Sequence, residues 1–440
     1  MSLIRNVTNT PANTLLDAFG RQRVSQPSLQ LSSVFDFARG GGTELLALLW
    51  CNKISTVSGG ADGTIGENTD QAAVTLTLSA YALAGTRRVT SQTKQYFTYH
   101  AGQSQQVAVT FVFGSTNVVN ANKRVGYFDD SDGWWLNRDG AGAITLNTRT
   151  KTSGSVVDAT PVTQANWNQD TFGAGALNPS DITLDFNNAQ IMVCDFQYLG
   201  VGIVRLGFSI SGTVYWAHWF NTGSPPALTS VYASSMNLPV RYEILATAAT
   251  ASPVSFEQIC SEVAREGSDL EASINWEVFS DTAQSAANVA YNGAWTILLA
   301  ARLQSGNIRA QLNSYSFGVL NLDNSNSGEC VLALLRPADA ANASILSAAI
   351  TYSALRTGLS VAEVARNPAQ TYNPSVGGII LKHEFAPAAQ RGGSGHEVTP
   401  DGRLPIAADY DGVSDQLILA TRGYGSTPSM RGSLGWAEEY

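Results

Sequence analysis

The chain has 440 residues, more than the roughly 250–300 that a single hydrophobic core organises, so two to three domains are expected. Charged residues make up only 14%, and the net charge is −9, from 26 Lys+Arg against 35 Asp+Glu. That balance leaves no basic footprint to displace phosphate counterions, which excludes nucleic acid as a partner. Low charge at ordinary hydrophobicity points instead to surfaces that are polar through Ser, Thr, Asn and Gln or covered by neighbouring subunits, the profile of an assembly component.

Residues 1–30 are rich in Asn, Thr and Pro with little periodicity, and read as an extended N-terminal arm. "MSLIRNVTNTPANTLLDAFG" lacks the continuous apolar core of a signal peptide, and no run approaches the ~18–20 apolar residues of a membrane span. A soluble chain without membrane insertion is therefore expected. From "SSVFDF" onward, short alternating segments recur between turn-forming stretches such as "SGGADGTIGENTD", "DDSDGWW" and "TFGAGALNPSD". This pattern predicts an all-β fold: a jelly-roll or β-sandwich domain over 31–250 and a second, smaller β-rich domain over 251–385, followed by a linker and C-terminal strands over 386–440.

Within "DFQYLGVGIVRLGFSISG", Phe196, Tyr198, Val204, Leu206, Phe208 and Ile210 share one parity while Asp195, Gln197, Arg205 and Ser209 take the other. Two adjacent strands are predicted, with Gly200 and Gly202 at the bend between them. A tight hairpin at Ser211–Gly212 then leads to Val214, Trp216, His218 and Phe220 on one face of the next strand. Arg205 on the opposite face is available to a partner. "SFEQICSEVAREG" is ambiguous, because Ser255 with Gln258 fits a capping box and Phe256, Ile259, Cys260 and Val263 follow helical spacing, yet Ile259, Ser261, Val263 and Arg265 also alternate. "SVAEVARN" suggests one short helical turn.

The search for chemistry yields little. Cys51, Cys194, Cys260 and Cys330 are far apart, without the C-x-x-C spacing of a zinc or redox site, and read as buried free thiols. His100, His218, His383 and His396 include no H-E-x-x-H pair, and His218 among Trp216, Trp219 and Phe220 reads as a packed ring. "GGSGH" lacks the spacing of a nucleophile elbow, and "GVG" at Gly200–Gly202 does not extend to a dinucleotide motif. "DDSDG" at Asp129–Gly133 places carboxylates before a glycine as a calcium loop would, but Phe128 occupies the first ligand position of the EF-hand register, and a solvated hairpin turn is the favoured reading. Asp129, Asp132, Asp170 and Asp185 are carboxylates from which a glycosidase pair could be built, although their separation is not readable from sequence. Trp134 and Trp135, with Trp167, Trp216 and Trp219, fit either a sugar-stacking platform or sandwich core and subunit interface. No catalytic residue, metal site or cofactor is expected.

"DAFGRQRVS" at Asp17–Ser25, with "QYFTYHAGQSQ", "KRVGYFDDSDGWW", "TQANWNQD", "AQIMVCDFQYLGVGIVRLGFSISG", "AHWFN", "LPVRYEI" and "ICSEVAREG" in order, resembles a group of tailed-bacteriophage virion structural proteins with a D-A-F-G-R-x-R-V-S signature near the start. The resemblance spans roughly residues 17–267. It implies a non-enzymatic component of the virion: a tail-, baseplate- or fibre-associated protein, or one decorating the head. The implied partners are copies of itself, as a trimer or ring, and other virion proteins. In the arm, Phe19 is expected to anchor in a neighbour's apolar pocket while Arg21 and Arg23 pair with its acidic groups. The alternative is a receptor-recognition module for a host surface glycan, with Trp134 and Trp135 as its stacking residues.

Overall fold

A computed structural model describes residues 29–35, 49–68, 73–100, 102–198, 200–220, 231–266, 274–336, 350–375, 377–388, 394–398 and 405–439. Phe19, Arg21 and Arg23 lie outside the described residues.

The protein is nearly all β, and every pairing between its named strands is antiparallel. Four sheets form two sandwiches. In the first, an eight-stranded sheet runs Thr213–Phe220, Val204–Ile210, Ala189–Phe196, Gln105–Val112, Val254–Glu266, Ala73–Leu78, Gly63–Asn68, with Leu29–Phe35 also paired to Val254–Glu266. Its partner, also eight-stranded, is built on Ile144–Thr150, Gly133–Arg138, Ala121–Phe128, Val240–Ala246, Arg87–Thr93 and Trp50–Ile54. Gln105–Val112 shows why these segments pair: Val107, Val109 and Phe111 are buried while the residues between them are half-exposed, the two-residue period of a strand with one face on a core. The opposing Val125, Tyr127, Tyr242 and Ile244, each 0% exposed, complete that core, and each large apolar side chain so buried contributes about 1.5–3 kcal/mol.

The second sandwich packs a five-stranded sheet, including Ile274–Phe279, Ser429–Glu439 and Gln311–Asn321, against a seven-stranded one centred on Trp295–Leu303, Gln416–Gly423 and Gly328–Leu335. This arrangement moves two of the expected boundaries. Val254–Glu266 is an inner strand of the first sandwich, so that unit extends past 250. Gln416–Gly423 and Ser429–Glu439 lie inside the two sheets of the second, where Leu417, Leu419 and Leu434 are core residues, so the chain beyond 386 completes that sandwich and is not an appendage.

The ambiguous stretch 255–266 is strand. Its helical spacing has a specific cause: between Gln258 and Ser261 the register against Gln105–Val112 slips by one residue, because three residues on one side span two on the other. A bulge of this kind reverses side-chain parity. Phe256 and Val263, seven apart, thus both reach the core. "SVAEVARN" likewise contains a strand, Ala362–Arg366, which pairs with Trp295–Leu303 and buries Ala362 and Val364 in alternation.

The reading of 195–220 holds for the first two strands and the turn, but not for the third strand, where Val214 and Trp216 lie on the face opposite His218 and Phe220. Asp195 sits opposite Arg205 across the first strand pair, and Ser211 and Gly212, with φ of 51° and 80°, form the tight turn into Thr213–Phe220. Gly202 is required at the bend, since a Cβ there would lie 1.8 Å from the Gln197 carbonyl oxygen. The third strand departs from strict alternation: Leu206 faces His218 while Gly207 faces Trp216, so Ala217 is an inserted residue.

Candidate functional site

A cleft of about 490 Å³ lies between the sandwiches. The first sandwich contributes Tyr96, Asp129, Asp130, Ser131, Lys151 and Arg241; the second contributes Asn307, Ile308, Arg309 and Tyr410. The cleft is organised by the acidic turn that the sequence singles out, which is a hairpin as expected, joining Ala121–Phe128 to Gly133–Arg138, but only partly solvated: Asp130 is exposed while its two neighbouring carboxylates are buried. Asp129 is 4% exposed and Asp132 0%. Asp129 Oδ1 accepts the backbone N–H groups of Ser131 (2.7 Å) and Asp132 (2.9 Å), and its Oδ2 accepts Arg309 Nη2 (2.6 Å) and Nε (3.2 Å). Asp132 accepts the backbone N–H of Ser234 at 2.7 Å and of Lys151 at 3.2 Å, with Arg309 Nη2 at 3.4 Å. The cation facing these carboxylates is thus a guanidinium from the other sandwich. Among the described residues no group of three or more His, Cys, Asp and Glu is placed to hold a metal ion.

Asp130 makes a second tie. It accepts Arg241 Nη1 at 2.7 Å, Arg88 Nη1 at 3.0 Å and the Tyr410 hydroxyl at 2.5 Å. Burial alone would raise its pKa, but the guanidinium groups of Arg241 and Arg88 outweigh that and hold the carboxyl well below the usual carboxylate range. Tyr410 projects from a tight turn in which Asp409 Oδ1 accepts the N–H groups of Asp411 (3.0 Å) and Val413 (2.8 Å). On either side of this turn the sandwiches meet again, through Lys53–Asp411 at 2.6 Å and Lys94–Asp415 at 2.8 Å. Lys94 and Asp415 are both buried, and burial raises the Asp415 pKa against the opposing pull of Lys94. Lys53, Lys94 and Arg309 thus each carry an ion pair across this junction.

The remaining expected site residues fall elsewhere. Trp134 and Trp135 are 3% and 2% exposed, which corrects their assignment as glycan-stacking residues: neither offers a ring face to solvent. Trp134 stacks on Phe196 at 5.6 Å inside the core, and Trp135, on the opposite face of the strand, lies beneath the guanidinium groups of Arg149 (5.2 Å) and Arg124 (5.5 Å). Arg205 is partnered within the chain, by an ion pair to Asp195 and by stacking 4.7 Å over Trp216. Asp170 is buried and accepts the N–H groups of Phe172 and Ser180, while Asp185 accepts that of Asn187, so both organise loops. Cys51, Cys194 and Cys330 are buried free thiols and Cys260 is half-buried. Burial pushes the thiols of Cys51 and Cys330 up to about 12, which makes them poor nucleophiles.

His218 is packed, as its sequence context implies, with its ring 4.6 Å from Phe220 and Nδ1 accepting the Asn168 N–H at 3.2 Å. That bond requires an unprotonated Nδ1, and burial lowers the ring's pKa to about 4. Because the folded value lies below the unfolded ~6.5, the contribution is complete above pH 6.5 and is lost as pH falls towards 4. Urea denaturation should show a loss on the order of 2 kcal/mol over this window, allowing for partial solvent screening, and His218→Phe should flatten that dependence.

The fold and this junction define the class: an all-β protein of two antiparallel sandwiches fastened by buried ion pairs. No family model matches the chain and no curated protein matches it. Solved structures to which this chain is similar include the alginate lyase vAL-1 from a Chlorella virus, at 7% identity over 54% of this chain and 100% of that one, with a TM-score of 0.31. A legume lectin-like domain from Entamoeba histolytica and a carbohydrate esterase from the Shiga toxin-encoding bacteriophage phi24B each match at 10% identity over 55% of this chain and 100% of theirs, with TM-scores of 0.29. Likenesses of this size carry no argument about fold or activity.

Proposed function

We propose that the protein is a non-enzymatic structural component of a bacteriophage particle, associated with the tail, baseplate or fibre and assembling as a symmetric homo-oligomer. The observation that supports this reading is the use made of the charged side chains. Arg309 and Lys94 are spent on fastening one sandwich to the other, and Arg241 and Arg88 hold Asp130, which meets Tyr410 of the second sandwich; carboxylates committed to ion pairs in this way suit a rigid building block better than acid–base chemistry. The ordered motifs from Asp17 to Gly267 that resemble virion proteins point the same way. In this reading the arm with Phe19, Arg21 and Arg23 latches onto a neighbour. Light scattering on the purified chain is expected to give a discrete oligomer, a trimer or a larger ring, and deletion of residues 1–23 should reduce it to smaller species. A stable monomer with and without the arm would overturn the proposal.

A receptor-recognition role is favoured by one specific feature. Phe385 and Tyr424 are 53% and 61% exposed and meet edge to face at 6.3 Å, presenting the open aromatic surface that Trp134 and Trp135 do not. Glycan-array binding by the full chain, abolished by Tyr424→Ala, would place that role on the second sandwich.

A further inference from the structure

The cleft between the sandwiches has a hydrogen-bonding imbalance that the interdomain ties do not use up. Its two lining carboxylates are saturated. Each oxygen of Asp129 accepts two bonds, and each oxygen of Asp130 likewise, from Arg88 and Arg241 on one and from Arg88 and Tyr410 on the other. The donors are not saturated. Arg309 directs Nε and Nη2 at Asp129 and Asp132, leaving both hydrogens of Nη1 without a partner among the described residues. The Lys151 ammonium, the Ser131 hydroxyl and the Asn307 side-chain amide also line the cleft with no partner among the described residues. Lining charge has the same sign: Lys151, Arg241 and Arg309 against Asp129 and Asp130, three positive less two negative, or +1.

The geometry points to this cleft as a binding site for an oxyanion carried on a small polar molecule, a carboxylate or phosphate group received by Arg309 Nη1, Lys151, Ser131 and Asn307. Four unpaired donors and no unpaired carboxylate oxygen select an acceptor-rich ligand over a neutral or cationic one. The volume of about 490 Å³ suits a single sugar acid or a small phosphate ester, and the position between two domains is a usual place for such a site. Arg309 needs no rearrangement to take part, because Asp129 already holds it while the side chain as a whole stays 27% exposed. Tyr96 on the wall stays neutral, since burial pushes its hydroxyl up to about 12, and so adds no competing negative charge. This site is independent of the assembly reading.

Isothermal titration of the full-length protein with inorganic phosphate, D-galacturonate, N-acetylneuraminate and neutral D-galactose, at low salt, tests the inference. At least one of the three anions is expected to bind with Kd below roughly 10 mM, galactose at least about tenfold more weakly, and added salt should weaken the anion. Binding confined to phosphate would identify a phosphate-bearing ligand, and binding confined to the sugar acids a carboxylate-bearing saccharide. Lys151→Gln and Asn307→Asp lie outside the interdomain ties and should leave the melting temperature unchanged while weakening the anion by about tenfold or more. Absence of binding by all three anions, or binding that both variants leave intact, overturns the inference.

Discussion

Lys94→Met is expected to destabilise the protein by about 3–5 kcal/mol in urea or thermal denaturation, one of the two largest single effects the structure implies. The Lys94 and Asp415 side chains are 6% and 3% exposed, and the ammonium lies 2.8 and 3.1 Å from the two carboxylate oxygens. Removing the amine leaves a carboxylate in a site where burial already raises its pKa. The cost is therefore mainly that of an uncompensated buried charge and not the net worth of the pair. The double variant Lys94→Met/Asp415→Asn separates the two, because it removes both charges. It should recover most of the loss, and a double variant as unstable as the single one would contradict this account.

The second large effect is expected at Arg309. Arg309→Met strips the guanidinium from two carboxylates, Asp129 and Asp132, whose side chains are 5% and 0% exposed, with a cost of about 3 kcal/mol or more. Backbone N–H groups continue to hold both aspartates, which keeps the figure at the lower end of the range for a broken buried pair. The diagnostic is the shape of the transition. Arg309 belongs to one sandwich and its partners to the other, so calorimetry should resolve the single endotherm of the parent into two, and limited proteolysis should release the two sandwiches as separate fragments. A variant that melted in one step at an unchanged temperature would show that the contact does not fasten the sandwiches.

How far the fold could be read from the sequence depended on the range of the contacts involved. The hairpin through Ser211–Gly212 is readable because the turn and both alternating strands lie within a few residues of one another, and the free buried cysteines follow from their apolar neighbours. Bulges are harder. The inserted residue between Gln258 and Ser261 shifts Phe256 and Val263 onto one face and turns a strand into a counterfeit of helical spacing, so local pattern alone misleads there. The cleft is the extreme case. Arg309 meets Asp129 across 180 residues of sequence, and nothing near "DDSDG" signals that its counter-ion will be an arginine. Trp134 and Trp135 misled for a related reason: adjacent aromatics look like an exposed platform until one sees that the core takes one ring and Arg124 and Arg149 cover the other.

The wide spacing of the interdomain ties also sets an order of events during synthesis. Asp130 waits for Tyr410, 280 positions downstream, and Lys94 for Asp415, 321 positions downstream, so neither tie can close until nearly the whole polypeptide has left the ribosome. At the ~5–20 residues per second of translation, the first sandwich spends roughly ten seconds or more with its basic and acidic groups facing water. The salt concentration and crowding of the cell during that interval act on the half-made molecule, well before the finished one experiences them.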